Sequence, residues 1–577
     1  MNVARRVHPL LLVPPALLVA LALDQGGFDP SAWVWSGALA AWAAATAAAA
    51  WRELSFSRSD WAWLVSACAV LAWVALSWLW SVRPEQTVLE VRRTIVYAAS
   101  VLALVVLVRR GAGKHLLVLT HSAITAVVVY ALARYLTEAR SFDTFEGTLL
   151  VQPLGYANAL GALAAIGIVL GIGLTAREPV ALGRAAAAAT APVLATALAL
   201  TSSRGAAVAL CVGLVATVAF ADDAAPLVRA ALVVVPGSVL AAIAAAVSRL
   251  SDGNAKPYPH AALLIGIVTV TCAIGTAVAA LRGSHALRPH LPQRVLSAAL
   301  VVGVIAAVVS PAFTEPRTSL WRVAWHQFEK HVAFGSGAGT FALAWARSGL
   351  IESRGGALDA HSLYLETLAE LGVVGLLLLL AFLLLPLVHA RRAPVAAGAY
   401  VVFLVHAGLD WDWEMPAVVL AGLCCGAVAV AADQQCPLTR RRIAIVIIAV
   451  ALGAASIAGA RSSSAPGVAP RSVAVVLGAR VAGLPVPVTL AVLRLESGLG
   501  RAGRERVAVA EVRLQRAVRH GDLDPRVLLR VRAMADLHAV LRARRPVLTA
   551  GRAVLTPRRA VLAAGRAVLA ARRLVLM

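Results

Sequence analysis

Residues 156–175 read YANALGALAAIGIVLGIGLT, an apolar run without one charged side chain. A helix of about 20 residues crosses the roughly 30 Å of a bilayer's hydrocarbon, so this run predicts a membrane span. Similar runs recur through most of the first 460 positions. We predict about fifteen spans, near residues 9–23, 31–50, 61–80, 94–108, 115–135, 156–175, 185–200, 204–221, 227–247, 261–281, 295–313, 362–388, 395–411, 415–432 and 443–459.

The composition of the 577-residue chain agrees with a protein that is solvated mainly by lipid. It is 60% hydrophobic and 14% charged, with a mean hydropathy of +0.81, which excludes a water-soluble globule of this length. The formal charge of +24 does not indicate nucleic-acid binding, because the basic residues lie in short loops rather than on one soluble face. The predicted fold class is therefore all-α, a polytopic transmembrane helical bundle of about 12–15 spans.

The chain divides into a membrane domain, residues 1–460, and a tail, residues 461–577. The tail contains 22 arginines, no lysine and near-repeats, but no run long enough to span. We interpret it as a low-complexity or out-of-frame extension, with a basic extracytoplasmic appendage as the alternative. The first span, 9–23, is predicted to be retained, although a short apolar stretch after two arginines is also typical of a cleaved signal peptide.

Arginines in alternate short loops predict the orientation, because positive residues are retained on the cytoplasmic side. The opposite, extracytoplasmic face then receives 136–155, 248–260, the long loop 314–360 and 410–414. It also receives 81–93, whose three arginines argue against the assignment.

Three polar clusters lie on that extracytoplasmic face. The first is 201–206, TSSRGA, in which Arg204 separates two apolar runs. The second is 317–331, RTSLWRVAWHQFEKH, followed by the glycine turn 335–341, GSGAGTF, and the third is 359–370, DAHSLYLETLAE. Ionisable groups at membrane depth cost several kcal/mol, so charged residues near span ends are the first candidates for function.

The spacing in the second cluster predicts an amphipathic helix at the membrane surface, with Arg317 at its start. Its predicted apolar face consists of Leu320, Trp321, Ala324, Trp325 and Phe328, and its polar face of Arg322, His326, Glu329 and Lys330. In the third cluster, His361 begins a helix, where the helix dipole lowers the pKa of a histidine and keeps its ring neutral. Glu366 and Glu370 share a different face of that helix, so neither is expected to pair with His361.

Two arginines and a histidine on one membrane face suit a reaction in which a diphosphate leaves and a hydroxyl attacks. Arg204 and Arg317 would bind phosphate oxygens through their bidentate forks and stabilise the leaving charge. His361 would accept the proton of the hydroxyl as a general base. Taken singly, Arg204 is more typical of an arginine that snorkels at an interface, and His361 of a capping or interface histidine. No aspartate-rich motif indicates a metal, and we expect no cofactor.

At these residues the sequence resembles the O-antigen ligase/Wzy polymerase superfamily. The resemblance covers roughly residues 60–435, and it is carried by Ser203 and Arg204, by 317–321 and 335–341, and most specifically by 360–372. Two further stretches, 155–160 (GYANAL) and 410–414 (DWDWE), also resemble patterns of bacterial members.

The resemblance implies a metal-independent membrane glycosyltransferase of the O-antigen ligase type. It would transfer a glycan from undecaprenyl diphosphate to a lipid, glycan or protein acceptor, outside the inner membrane of a bacterium. Arg204, Arg317 and His361 would be the catalytic residues, and Arg322 and Tyr364 would help the arginines to bind substrate. An O-antigen or exopolysaccharide polymerase is the alternative within this class. A flippase or transporter is the alternative outside it, although the chain lacks the internal repeat that many transporters show.

Overall fold

The computed structural model describes residues 8–51, 55–108, 112–137, 146–252, 260–282, 311–348, 358–431, 436–437 and 442–462. These residues all belong to one compact unit. The tail beyond Ser462 and most of the predicted span 295–313 lie outside the described residues, so both stay predictions.

The described residues are almost entirely helical. The α-helices are α1 Val13–Leu23, α2 Pro30–Ala50, α3 Arg58–Leu76, α4 Pro84–Leu107, α5 Gly113–Thr137, α6 Ala157–Arg177, α7 Ala181–Thr201, α8 Arg204–Phe220, α9 Ala225–Val247, α10 Ala261–Arg282, α11 Pro311–Lys330, α12 Phe341–Ser348, α13 Leu363–Leu384, α14 Pro394–Ala407, α15 Pro416–Val430 and α16 Arg442–Ser462. Short 3-10 segments occupy Pro9–Leu12, Gln25–Gly27, Ser77–Leu79, Leu385–Arg392 and Asp412–Glu414. Two-residue strands, Ser55–Phe56 and Cys436–Pro437, pair antiparallel.

The predicted helical bundle is confirmed, and every predicted span overlaps one of these helices, 295–313 only at its last three residues. Within the described ranges, seven helices are long and apolar enough to cross a membrane: Arg58–Leu79, Gly113–Thr137, Ala157–Arg177, Ala181–Thr201, Ala225–Val247, Ala261–Arg282 and Leu363–Arg392. Five shorter apolar helices coincide with further predicted spans: Pro9–Leu23, Arg204–Phe220, Pro394–Ala407, Pro416–Val430 and Ile443–Ala458.

Helix α6 lies at the centre of the bundle, where 89% of its apolar window is buried. It packs against α5, α7, α8, α9, α14 and α15. Around it, α8 and α14 cross at glycines, since a Cβ on Gly398 would collide with the Thr217 hydroxyl and the Gly213 carbonyl of α8. Small residues allow such close approach of helices. This crossing holds the start of α8 beside the end of α14, where the polar site forms.

The loops that were predicted to share one face contact one another. The Val82 N–H donates to the Ser336 carbonyl at 3.2 Å. The Tyr135 hydroxyl donates to the carbonyls of Thr148, at 2.7 Å, and of Leu250, at 3.1 Å. These contacts join Val82 to the glycine turn 335–341, and they join Thr148 to Leu250 through Tyr135. Which side of a membrane they face stays a prediction.

Two of the three arginines of segment 81–93, which did not fit the orientation rule, form ion pairs: Arg83 with Glu85 at 2.8 Å, and Arg93 with two carboxylates. Arg93 is buried, pairs with Glu90 and with Glu414 at 2.8 Å, and lies 4.9 Å from the centre of the Trp413 ring. It therefore belongs to the packing between α4 and the loop after α14, and is not a free loop charge.

Candidate active site

A buried carboxylate, Asp410, lies at the centre of the polar site. It follows α14 in the loop to α15 and is 1% exposed. Its Oδ1 accepts hydrogen bonds from the Tyr156 hydroxyl at 2.6 Å and from the Trp411 N–H at 2.8 Å. Its Oδ2 accepts from Asn158 Nδ2 at 2.7 Å and from Arg317 Nη2 at 3.1 Å. Four donors from three separate parts of the chain therefore hold this one side chain.

The surroundings of Asp410 keep it ionised. Burial alone would raise its pKa, but the positive charges of His361, His406 and Arg317 lower the pKa below the usual value for an aspartate. The Tyr156 hydrogen bond acts in the same direction. A buried carboxylate is stable only when it has hydrogen-bond donors or cations as partners. Asp410 therefore holds the surrounding cationic side chains close to one another.

Arg317 reaches this carboxylate from α11, which begins six positions earlier than the arginine, at Pro311. Besides Asp410, its Nε donates to the Leu409 carbonyl at 2.8 Å. Two contacts to adjacent residues fix the guanidinium plane, and its side chain stays 15% exposed. The arginine is thus anchored and still accessible.

The buried stripe of α11 differs from the predicted apolar face. Leu320, Val323, Ala324 and Gln327 are buried, whereas Trp325, which belongs to the predicted apolar face, is 48% exposed. The buried stripe packs against protein, helices α12 and α13, and contact of the predicted apolar face with a membrane surface stays a prediction. Exposed residues of α11 include Arg322 and His326, as predicted.

Gln327 locks α11 to the glycine turn. Its Nε2 donates to the Ser336 hydroxyl and, at 3.0 Å, to the Thr340 hydroxyl. Both hydroxyls are buried and lie 2.7 Å apart. The turn thereby sets the position of the helix that carries Arg317.

Glu370 of α13 holds the same turn from the other side. Its carboxylate accepts hydrogen bonds from the N–H groups of Gly339 and Phe341, each at 2.7 Å. Gly335 has a φ of +69°, and a Cβ there would collide with the Glu370 backbone, so only glycine fits. The glycine turn is therefore a structural support and not a phosphate-binding loop.

His361 lies in a strained loop just before α13. Its φ of +50° is in the left-handed region, which a histidine rarely adopts. Asp359 Oδ1 lies 2.6 Å from His361 Nδ1 and accepts the His361 N–H at 2.9 Å. The Ala360 N–H donates to Glu366 Oε2 at 2.7 Å. Strain of this kind persists only where the surroundings enforce it, and it occurs often at functional sites.

The prediction that His361 is neutral was wrong, because its contacts favour the protonated ring. Burial lowers the pKa of His361, but the Asp359 carboxylate, and more weakly Asp410, raise it to about 9. The helix dipole is outweighed because a full negative charge lies in contact with the ring. The ring is 27% exposed, and because Nδ1 is buried beside Asp359, Nε2 is the ring nitrogen that can reach a substrate.

Arg204 begins α8 and is exposed. The Ser203 hydroxyl caps this helix by accepting the hydrogen bond of the N–H three residues later, at 3.2 Å. A Cβ built on Gly205 would lie 3.4 Å from His406 Nε2 and 4.0 Å from Leu409 Cβ. Since Leu409 also accepts the Arg317 hydrogen bond, the first turn of α8 and Arg317 approach the same short loop.

The two remaining predicted residues lie further from this centre. Arg322 is on the exposed side of α11. Tyr364 donates its hydroxyl to the Leu404 carbonyl at 2.8 Å, and its ring would contact a side chain at Gly408. Tyr364 therefore supports the end of α14, and its role in substrate binding stays a prediction.

Several residues of the site were not named as site residues from the sequence. They are Tyr156, Asn158, Asp359, His406, Asp410 and Asp412. The two stretches 155–160 and 410–414 had been noted as family-like, which was the available signal. Sequence reasoning missed their role because their partners are up to 254 positions apart.

A cavity of about 110 Å³ lies behind the third motif, between α3, α4, α13 and α15. Its walls are mainly apolar, with Glu90, Arg93, Glu366 and Glu370 among the polar groups. Within the described ranges, no group of three or more His, Cys, Asp and Glu side chains is placed to hold a metal ion.

The fold and this site define a polytopic helical membrane protein whose polar residues converge in the loops beside α8, α13 and α14. Residues 189–380 match the family model for O-antigen ligase. The predicted resemblance is thereby confirmed over this part of the chain, which contains Arg204, Arg317 and His361. No curated protein matches the chain.

Proposed function

We propose that the protein is a membrane glycosyltransferase of the O-antigen ligase type, which transfers a glycan from a polyprenyl diphosphate to an acceptor hydroxyl. The supporting observation is that residues from the three sequence motifs converge on residues 406–412. Arg317 binds Asp410 there, the Asp410 and His361 charges interact, and the first turn of α8 packs against His406 and Leu409. Three motifs that are distant in sequence thus meet at one site.

The proposed reaction needs a cationic clamp and a base. The acceptor oxygen attacks the anomeric carbon, the bond from that carbon to the diphosphate oxygen breaks, and the diphosphate leaves with the electron pair. Arg204 and Arg317 would bind its oxygens and stabilise the charge as it develops. The acceptor proton would pass to His361 Nε2, and Asp359 would stabilise the resulting imidazolium.

The donor would be undecaprenyl diphosphate-linked glycan and the acceptor a lipid, glycan or protein. The site would face the extracytoplasmic side of a bacterial inner membrane. An accessible but anchored Arg317 supports this proposal, because a clamp must meet the substrate without losing its geometry. The reaction as written uses neither a metal nor a nucleotide.

Deletion of the gene tests the proposal and separates its two forms. If the protein is a ligase, long glycan chains should disappear from their anchor on gels of surface polysaccharide, while lipid-linked polymer accumulates. Single repeat units on the anchor would instead identify a polymerase. Unchanged glycans in the deletion strain, with complete loss of an unrelated exported solute, would favour a transporter and contradict the proposal.

A further inference from the structure

A second histidine, His406, lies beside the proposed clamp and takes no part in the reaction as described so far. It is in the last turn of α14, and its side chain is 1% exposed. Its Nδ1 lies 2.9 Å from Oδ2 of Asp412, whose side chain is 2% exposed. A carboxylate at this distance orients an imidazole ring and keeps a proton on Nδ1. The other ring nitrogen, Nε2, is then directed away from Asp412.

His406 Nε2 is buried and, among the residues that the structure describes, has no hydrogen-bond partner. It faces the first turn of α8, since a Cβ on Gly205 would lie 3.4 Å from it. A buried ring nitrogen without a partner is unfavourable, and such atoms in native proteins usually have a water or a ligand as their partner. Because residue 205 is a glycine, no side-chain atom of that residue lies between the first turn of α8 and Nε2.

The surroundings of this nitrogen favour an anion. The first N–H groups of a helix have no acceptors within it and carry the positive end of the dipole. Here α8 is 17 residues long, and its first residue is the exposed Arg204. Arg317 contacts the same loop through its hydrogen bond to the Leu409 carbonyl. The nearest carboxylate besides Asp412 is Asp410, which four donors already occupy.

We propose that His406 is a further binding residue for the donor diphosphate, donating from Nε2–H to a phosphate oxygen held at the start of α8 beside Arg204. This inference rests on the proposed function. The ring carries both protons in the bound state, and Asp412 balances its charge. The diphosphate would then have ligands from α8, α11 and α14, so a single anion would join three helices that approach the site independently.

Two substitutions of His406 by an amide side chain distinguish a role in diphosphate binding from a purely structural role. The side-chain amide of His406→Gln places a donor near the position of Nε2, whereas that of His406→Asn places one near Nδ1 and keeps the Asp412 contact. We expect undecaprenyl diphosphate to bind purified full-length His406→Asn about tenfold more weakly, because one charged hydrogen bond is lost. His406→Gln should bind within about threefold of wild type. The opposite order, with Asn retained and Gln impaired, would overturn the proposal.

A substitution at Gly205 tests the same point without touching the histidine. The Cβ of Gly205→Ala would meet His406 Nε2 at ordinary contact distance, so it should cover the nitrogen without distorting the helix. Alanine is also the better helix former. We expect Gly205→Ala to bind undecaprenyl diphosphate more weakly than wild type does. Inorganic pyrophosphate should compete with undecaprenyl diphosphate for binding to the wild type. The control is Gly275→Ala in α10, where no atom lies within 4 Å of the added Cβ.

The outcomes distinguish this inference from the proposed function. If wild type binds undecaprenyl diphosphate no better than undecaprenol, both are wrong. If Arg204→Ala abolishes binding while His406→Asn and Gly205→Ala bind like wild type, only the role of His406 is wrong.

Discussion

Arg317 and Asp410 form an ion pair across 93 positions of sequence, with Nη2 and Oδ2 3.1 Å apart and the carboxylate almost completely buried. The pair joins α11 to the loop after α14. Because the same carboxylate also binds Tyr156 and Asn158, it connects the start of α6 to the proposed diphosphate clamp. Its loss should therefore affect both the fold and the chemistry.

Substituting Asp410 by Asn should lower the free energy of unfolding by about 3 kcal/mol, since the partly buried Arg317 guanidinium loses its counter-charge. Transfer activity should fall with it, because Arg317 is no longer anchored. The measurement is thermal unfolding in detergent beside a transfer assay at equal membrane abundance. Asp222→Asn, at an exposed position between α8 and α9, is the control. An Asp410→Asn protein with wild-type stability would show that the ion pair is dispensable.

Lysine should be unable to take over the function of Arg204 or Arg317. Arg204→Lys and Arg317→Lys keep the charge but lose the bidentate fork, so we expect at least about tenfold less transfer, and less still for the alanine variants. Arg282→Lys, at an exposed position in the last turn of α10, is the control and should transfer like wild type, whereas substitution of Arg322 should cost less than substitution of Arg317. Wild-type transfer by both Arg204→Ala and Arg317→Ala would contradict the proposal that these arginines bind the diphosphate.

Removing the imidazole of His361 should stop transfer while binding of the donor largely survives. Proton abstraction is required only when the acceptor attacks, whereas the arginines bind the diphosphate in either case. Donor binding and transfer are measured on the same purified His361→Ala protein. The side chain of His326 is 63% exposed on α11. The control variant His326→Ala should therefore behave like wild type in both assays. Normal transfer by His361→Ala would refute the general-base role.

The rate of transfer should rise with pH between about 7 and 9. A base must be neutral to accept a proton, and the pKa of His361 is raised to about 9, so raising the pH increases the active fraction. Asp359→Asn removes the main cause of the raised pKa and should move the midpoint of the profile to lower pH. A rate that falls through this range would instead assign His361 a cationic role.

Stability must be followed in the same pH series. A histidine whose pKa is raised from 6.5 to about 9 stabilises the fold fully below pH 6.5, and this contribution is lost as the pH rises through about 9. Unfolding midpoints at each pH therefore separate loss of activity through unfolding from titration of the base.

The predicted orientation can be tested with single cysteines in a background without the native cysteines. Ser336 is buried and bonded to Gln327, so His326 is the better position for a reporter on the predicted extracytoplasmic side. His326→Cys should react with an impermeant thiol reagent in intact cells whose outer barrier is permeabilised. Asp222→Cys, on the predicted cytoplasmic side, should react only after lysis. The reverse pattern would invert the topology.

The sequence alone determined the helical class and the position of almost every span. Runs such as 156–175 are local, and lipid offers the backbone no partner other than its own helix, so composition and length decide these elements. The three motifs around Arg204, Arg317 and His361 could be recognised because each is also short and local. Their order along the chain was enough to predict a shared face.

Only the tertiary structure decided what surrounds those residues. Asp410 and His406 are polar residues near a span end in the sequence, and nothing local indicates that one binds Arg317 and the other faces Gly205. The charge state of His361 was predicted wrongly for the same reason. A helix dipole can be read from sequence, but the position of Asp359 2.6 Å from the ring depends on a strained loop. Electrostatic energies change steeply over a few ångströms, and those distances are set by packing between segments that are far apart in the chain.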